Sequence, residues 1–266
     1  MKVGSHHLGR MYLVTIALLV ILAGIGAYGA RTFPSGLVVA VVSCVLIELV
    51  IVKINKQKMK VPLAAIITGL IIGSVAPISV SLIVVIAASL IAEITKFFLK
   101  SKARNILNPA AVGLLVALAL FGTGDEWWAA PSIHIYGLLI PLAVVLIVAA
   151  YEARRIPTVL VATAIMAVGF TALAGSGFSA AAVLVALLSV NYYFVFLMVA
   201  DPKTSPNRMS GQLVYGIGIA LFALGFTFLR MPYPLLVTLV IANLLYAGFR
   251  KFGTVKSVAA AAVATS

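Results

Sequence analysis

FLMVADPKTSP, residues 196–206, stops an apolar run at an acid, Asp201, and then sets Lys203, Thr204 and Ser205 between two prolines. A carboxylate is the wrong charge for a helix C-terminus, where free carbonyls already carry partial negative charge. Two readings account for it. In the local one, the carboxylate accepts from the Thr204 N–H within DPKT and caps the next turn. In the other, it faces the positive end of a helix elsewhere in the chain. The choice depends on what surrounds the run that Asp201 ends.

That surrounding is a bilayer. The chain of 266 residues is 64% hydrophobic and 9% charged, against roughly half apolar and a quarter charged in a soluble domain. The net charge of +13 is carried by short basic clusters between apolar runs. That is the pattern of cytoplasmic loops, and it argues against nucleic acid as a partner. The single cysteine, Cys44, excludes an internal disulfide, a CxxC pair and an Fe–S cluster ligated by this chain alone. The histidines His6, His7 and His134 all lie outside apolar runs, which excludes a haem held by two histidines within the membrane. After Lys2 and Arg10, the run MYLVTIALLVILAGIGAYGA is about 20 residues long, right for a spanning helix and long for a signal-peptide core.

Apolar runs between polar or proline punctuation give ten segments: 11–30, 36–52, 62–76, 78–97, 107–121, 135–151, 157–174, 179–200, 211–229 and 233–249. Segments 62–76 and 107–121 are short for a crossing. The first of these carries Gly69 and Gly73, a spacing that lets helices approach closely. With both termini cytoplasmic, ten crossings place every Lys and Arg except Arg31 and Arg230 on the inner side, as the positive-inside rule requires. The outer loop GTGDEWW then holds Asp125, Glu126 and, at interfacial depth, Trp127 and Trp128. Ten crossings divide into five and five, and an odd number per half orients the halves oppositely, as in inverted-repeat transport proteins. The fold expected is therefore all-α and polytopic, with about ten transmembrane helices in two inverted five-helix repeats. Residues 1–121 form the first repeat, 122–134 an outer loop, 135–250 the second repeat and 251–266 a cytoplasmic tail.

Polar residues within this frame are the functional candidates. In ARNILNPAAVG (103–113) Asn108 suits an N-cap and Pro109 a first helical position. The short helix that follows offers free N–H groups to electronegative ligand atoms. Asp201 ends the eighth segment on the same side. Glu48 and Glu93 are acids in apolar segments and are ion-pathway candidates. Their spacing from Lys53 and Lys96 also allows simple pairing with those lysines. Asn191 and Asn243 lie mid-segment and are expected to hydrogen-bond between helices. Tyr192 and Tyr193 are expected to pack, with stacking on a flat ligand as the other reading.

VPLAAIITGLIIGSVAP (61–77), NILNPAAVG (105–113), the Trp127–Trp128 pair, and FLMVADPKTSP followed by GQLVYGIGIALFALGFTFLR (196–230) together resemble the RnfD/NqrB family, in that family's order. The resemblance implies a membrane subunit of a redox-driven sodium or proton pump, with two inverted five-helix repeats also seen in urea transporters. It also implies flavin, as FMN esterified to a threonine of an SGAT-type motif and, in NqrB, a riboflavin. No SGAT occurs here, and the only threonine of the outer loop, Thr123, sits in FGTGDE. A non-covalent FMN or riboflavin is therefore expected, at a site built from Asn105, Asn108, Pro109, Asp201, Thr204 and Ser205. The expected role is an electron-transfer subunit in a prokaryotic-type cytoplasmic membrane, working with other membrane and peripheral subunits of a redox complex. The alternatives are a transporter of a small solute or flavin on the same fold, and a scaffold subunit without cofactor.

Overall fold

The computed structural model describes residues 13–25, 34–101, 104–128, 136–175 and 177–264. His6, His7, His134, Arg31 and both chain termini lie outside the described residues. The chain is built of helices: α1 (Leu13–Ile25), α2 (Ser35–Ile54), α3 (Leu63–Val75), α4 (Leu82–Phe98), α5 (Pro109–Phe121), α6 (Tyr136–Glu152), α7 (Ile156–Leu173), α8 (Ala180–Ser189), α9 (Met209–Phe228) and α10 (Pro234–Ala264). A two-residue β-ribbon, β1 (Lys100–Ser101) with β2 (Arg104–Asn105), links α4 to α5. By length and composition, α2, α7 and α9 are long and apolar enough to cross a membrane.

Proline sets many of the starts. Pro34 and Pro62 sit at the N-caps of α2 and α3, Pro109 begins α5 and Pro157 lies in the first turn of α7. In each place the missing N–H costs nothing, because a helix's first N–H groups have no intrahelical partner. Asn108 caps α5 as expected, its side-chain oxygen accepting from the Ala111 N–H at 3.1 Å. Gly122, at φ 66°, ends α5 in the left-handed conformation, which glycine enters without a Cβ penalty.

The segment expected at 179–200 is broken. α8 stops at Ser189, Val190 is extended, and a π-helical turn covers Phe194–Val199. Asn191 explains the restart: its Oδ1 accepts from the Phe194 N–H at 2.9 Å. Asn191 therefore caps locally and does not bridge helices as expected. Just after it, Tyr193 is fully buried, and its hydroxyl accepts from the Ser74 hydroxyl on α3 at 2.8 Å. Backbone broken at membrane depth is tolerated where protein covers it or where it lines a cavity.

Helix pairing repeats at an interval of five. In the first half α2 packs on α3 and α4, and α4 on α5; in the second α7 packs on α8 and α9, and α9 on α10. Gly69 and Gly73 do allow close approach: a Cβ on Gly69 would fall 2.5 Å from the Val41 Cα of α2, and one on Gly73 would strike Leu37. The halves meet where α10 packs on α5. There Asn243 does bridge helices, its Oδ1 accepting from the Asn108 N–H at 2.8 Å while its Nδ2 donates to the Tyr215 hydroxyl at 2.6 Å. The Trp127–Trp128 loop folds over the end of α3. The Trp128 indole N–H donates to the Gly73 carbonyl at 2.9 Å, and Trp127 meets Phe194 edge-on.

Candidate functional site

Asp201 begins a compact loop. Its carboxylate accepts from the Lys203 N–H at 2.9 Å and from the Thr204 hydroxyl at 3.2 Å, and its carbonyl accepts from the N–H groups of Thr204 and Ser205. The local turn is thus made, with the Lys203 N–H in the place expected of Thr204. Burial pushes the Asp201 carboxyl above the usual carboxylate range, although the Lys203 N–H and ammonium, the Thr204 hydroxyl and the Arg104 guanidinium pull the other way. Thr204 and Ser205 are buried and spend their hydroxyls inside the loop; Ser205 donates to the Asp201 carbonyl at 2.6 Å.

Two arginines that sequence reasoning counted only as inner-loop charge hold this loop from outside. Arg104 of β2 donates to the carbonyls of Pro202, Ser205 (2.6 Å) and Lys203 (3.3 Å). Arg155, the residue before α7, donates through Nε to the Ser205 hydroxyl at 2.7 Å and through Nη2 to Asn207 Oδ1 at 2.5 Å. Its Nη1 returns to the carbonyls of Ala153 and Arg154, both at 3.1 Å. Arg155 is 3% exposed. A guanidinium presents five N–H donors in a rigid fork, which suits several carbonyls at once. The two side chains tie the loop both to the entry of α5 and to the start of α7. Adjacent Arg154 is exposed, and no pattern in the sequence distinguishes the two apart from the position directly before Ile156–Pro157.

Beside the loop lies a cavity of about 740 Å³. Asn105, Asn108, Pro109 and Asp201 line it, so four of the six expected site residues come together from the two halves; Thr204 and Ser205 do not line it. Asn105 and Asn108 are 7% and 3% exposed. Among the described residues, the Asn105 side-chain amide and the Asn108 Nδ2 have no hydrogen-bond partner. The two amides open on a space with one apolar wall, from Leu63, Ile67 and Ile71 of α3 to Phe196 and Leu197 of the π turn. Both amides face the cavity with donors and acceptors that a bound ligand can use. Arg154, Lys203 and Glu152 lie at the same cavity.

Glu48 and Glu93 sit elsewhere, between α2 and α4. Lys96 joins them, 2.5 Å from Glu48 Oε2 and 3.1 Å from Glu93 Oε2. Glu93 pairs with Lys96 as its spacing allows. Glu48 pairs across helices with the same lysine and not with Lys53, which is exposed. Lys96 also lines the cavity.

The sequence profile of the NQR2, RnfD, RnfE family matches residues 4–132. Over that stretch, just under half of its length, the chain is similar to this family. The likeness agrees with the helices long and apolar enough to cross a membrane, α2, α7 and α9. The matched span contains α1 to α5, the Asn105–Gly113 stretch and both tryptophans; the 201–206 loop lies beyond it. No curated protein matches the chain.

Proposed function

We propose that this RnfD/NqrB-type chain is an electron-transfer subunit of an ion-translocating redox complex and holds a flavin, non-covalently, in the cavity between its halves. The observation that carries the reading is the pair of amides lining the cavity, Asn105 and Asn108, set across from an apolar wall. An isoalloxazine asks for an apolar slot with polar groups at its pyrimidine edge. The cavity volume falls within the roughly 300–1,000 Å³ common for cofactor sites. Of this chain's residues, Asn105, Asn108 and the α5 N-terminus would hold the polar edge, and the flavin would supply the redox chemistry. The short helix α3, the broken α8 and pairings repeated at five-helix intervals support ten crossings in two inverted repeats.

The test is the spectrum of purified protein. A yellow chromophore is expected, released by denaturation, with Asn108→Ala lowering retention about tenfold if one charge-neutral hydrogen bond of roughly 1.5 kcal/mol is lost. Asp201→Asn keeps the Lys203 N–H bond, since asparagine caps nearly as well as aspartate. It is expected to fold normally and to retain less flavin. A folded Asp201→Asn protein with full flavin content would remove Asp201 from the site. The break at Val190–Asn191 favours a second reading, transport of a small solute on the same fold. A colourless preparation from flavin-replete cells would select it over electron transfer.

Topology has its own check. Cysteines placed at Thr123 and at Lys58 should label from opposite sides of the membrane, because the inner loops carry the basic residues. Labelling of both from one side would end the ten-crossing arrangement.

A further inference from the structure

Two carboxylates and one ammonium meet between α2 and α4, and their charges do not cancel. Glu93 is 0% exposed and Lys96 is 6% exposed, while Glu48 closes the group from α2. The elements packed on this cluster bring little else that titrates. α3 and α5, which pack on α4, carry no ionisable side chain at all. Cys44 on α2 and Lys100 of β1 are the other ionisable groups near the cluster. Cys44 is a buried thiol, and Lys100 is exposed. With both carboxylates ionised and Lys96 charged, the cluster would carry one net negative charge in an apolar interior. Such a charge neutralises itself where it can.

We infer that Glu48, Lys96 and Glu93 form a one-proton store, with Lys96 as its door to the cavity. Lys96 is the member of the three that lines the cavity, and its ammonium touches both carboxylates. One carboxyl keeps the proton and the other pairs with the ammonium, so the group is neutral at rest. A base arriving in the cavity takes a proton from Lys96 Nζ, and Lys96 takes the stored proton from the protonated carboxyl. The cluster then holds two carboxylates and one ammonium, one proton poorer than before. The ammonium already fills the place a metal cation would need between the carboxylates, so the stored species is a proton and not sodium. The inference does not depend on which ligand the cavity takes.

Infrared spectroscopy of the purified protein at neutral pH, in water and in deuterium oxide, tests it. The wild-type chain should show the C=O stretch of a protonated carboxylic acid, shifted to lower frequency in deuterium oxide. Glu48→Gln and Glu93→Gln should each abolish that band, because each leaves one carboxylate paired with one ammonium. Both variants keep a neutral pair, which favours folding. Lys96→Met gives an independent reading: with no ammonium, both acids protonate and the band should grow about twofold. A wild type without the band, a band that survives either glutamine change, a band removed only by Asp201→Asn, or no growth in folded Lys96→Met would overturn the proton store.

Discussion

Arg155→Ala is expected to lower the unfolding temperature of the detergent-solubilised protein by roughly 6–12 °C, corresponding to about 3 kcal/mol at the sensitivity of a chain this long. The side chain is 3% exposed, and its donors reach Ser205, Asn207, Ala153 and Arg154 at 2.5 to 3.1 Å. Hydrogen bonds to a charged donor contribute about 1.5–3 kcal/mol each, and an acceptor orphaned in the interior costs more than one left in water. The full sum will not be lost. Arg104 also donates to the carbonyls of Pro202 and Ser205 and to Asn207 Oδ1, and it keeps part of the loop in place. Arg155→Lys should recover little, because an ammonium cannot span the same acceptors as a fork. The effect extends to the cavity, since Asp201, Pro202 and Lys203 line it from this loop. Retention of the proposed flavin should fall with stability. An Arg155→Ala protein that melts with the wild type would show that Arg104 alone holds the loop.

Residues whose roles are set by their neighbours in sequence were the legible ones. Asn108 beside Pro109 reads as a cap and start, and it is one. Gly69 and Gly73 read as a face for close approach, and α2 lies against that face. Asp201 in DPKT reads as a turn, and the turn forms with the neighbouring N–H as donor. What stayed hidden depended on partners far along the chain. Glu48 and Lys96 are 48 residues apart, so the nearer Lys53 was the natural guess; only the packing of α2 on α4 settles the choice. VALLSVNYYFVFLMV (185–199) reads as one apolar helix, because nothing in its hydropathy marks a break. An Asn191 side chain that caps Phe194 and a Tyr193 hydroxyl that meets Ser74 divide it. The cavity was half legible: its two asparagines and its aspartate were chosen for their chemistry, whereas the arginines that fix their geometry looked like ordinary inner-loop charge.

The largest loss should follow the smallest change, Gly113→Ala. Gly113 lies one turn into α5, where that helix packs against α4. An added Cβ would collide with the Ala88 carbonyl oxygen and stand 2.9 Å from the Ala92 Cβ and 3.1 Å from the Ala92 nitrogen. None of these is the far end of a flexible side chain. The helices must separate, or one must rotate. Overpacking of this kind costs about 1–3 kcal/mol in an ordinary core and more where backbone is the obstacle. At least 3 kcal/mol is expected here, as roughly a 6–12 °C drop in unfolding temperature or as failure to accumulate in the membrane. The site is reached by the same displacement. Asn108 is the cap of α5 and Asn105 precedes it, while Lys96 sits on the facing helix; a shift of α5 relative to α4 moves the amides off the wall they face. Gly218→Ala on α9 is the control, because a Cβ there meets nothing within 4 Å. It should be neutral or slightly stabilising, since alanine favours a helix over glycine by about 1 kcal/mol. If Gly113→Ala behaves like Gly218→Ala, the α4–α5 contact is looser than these distances require, and the placement of Asn105 and Asn108 against Lys96 loses its support.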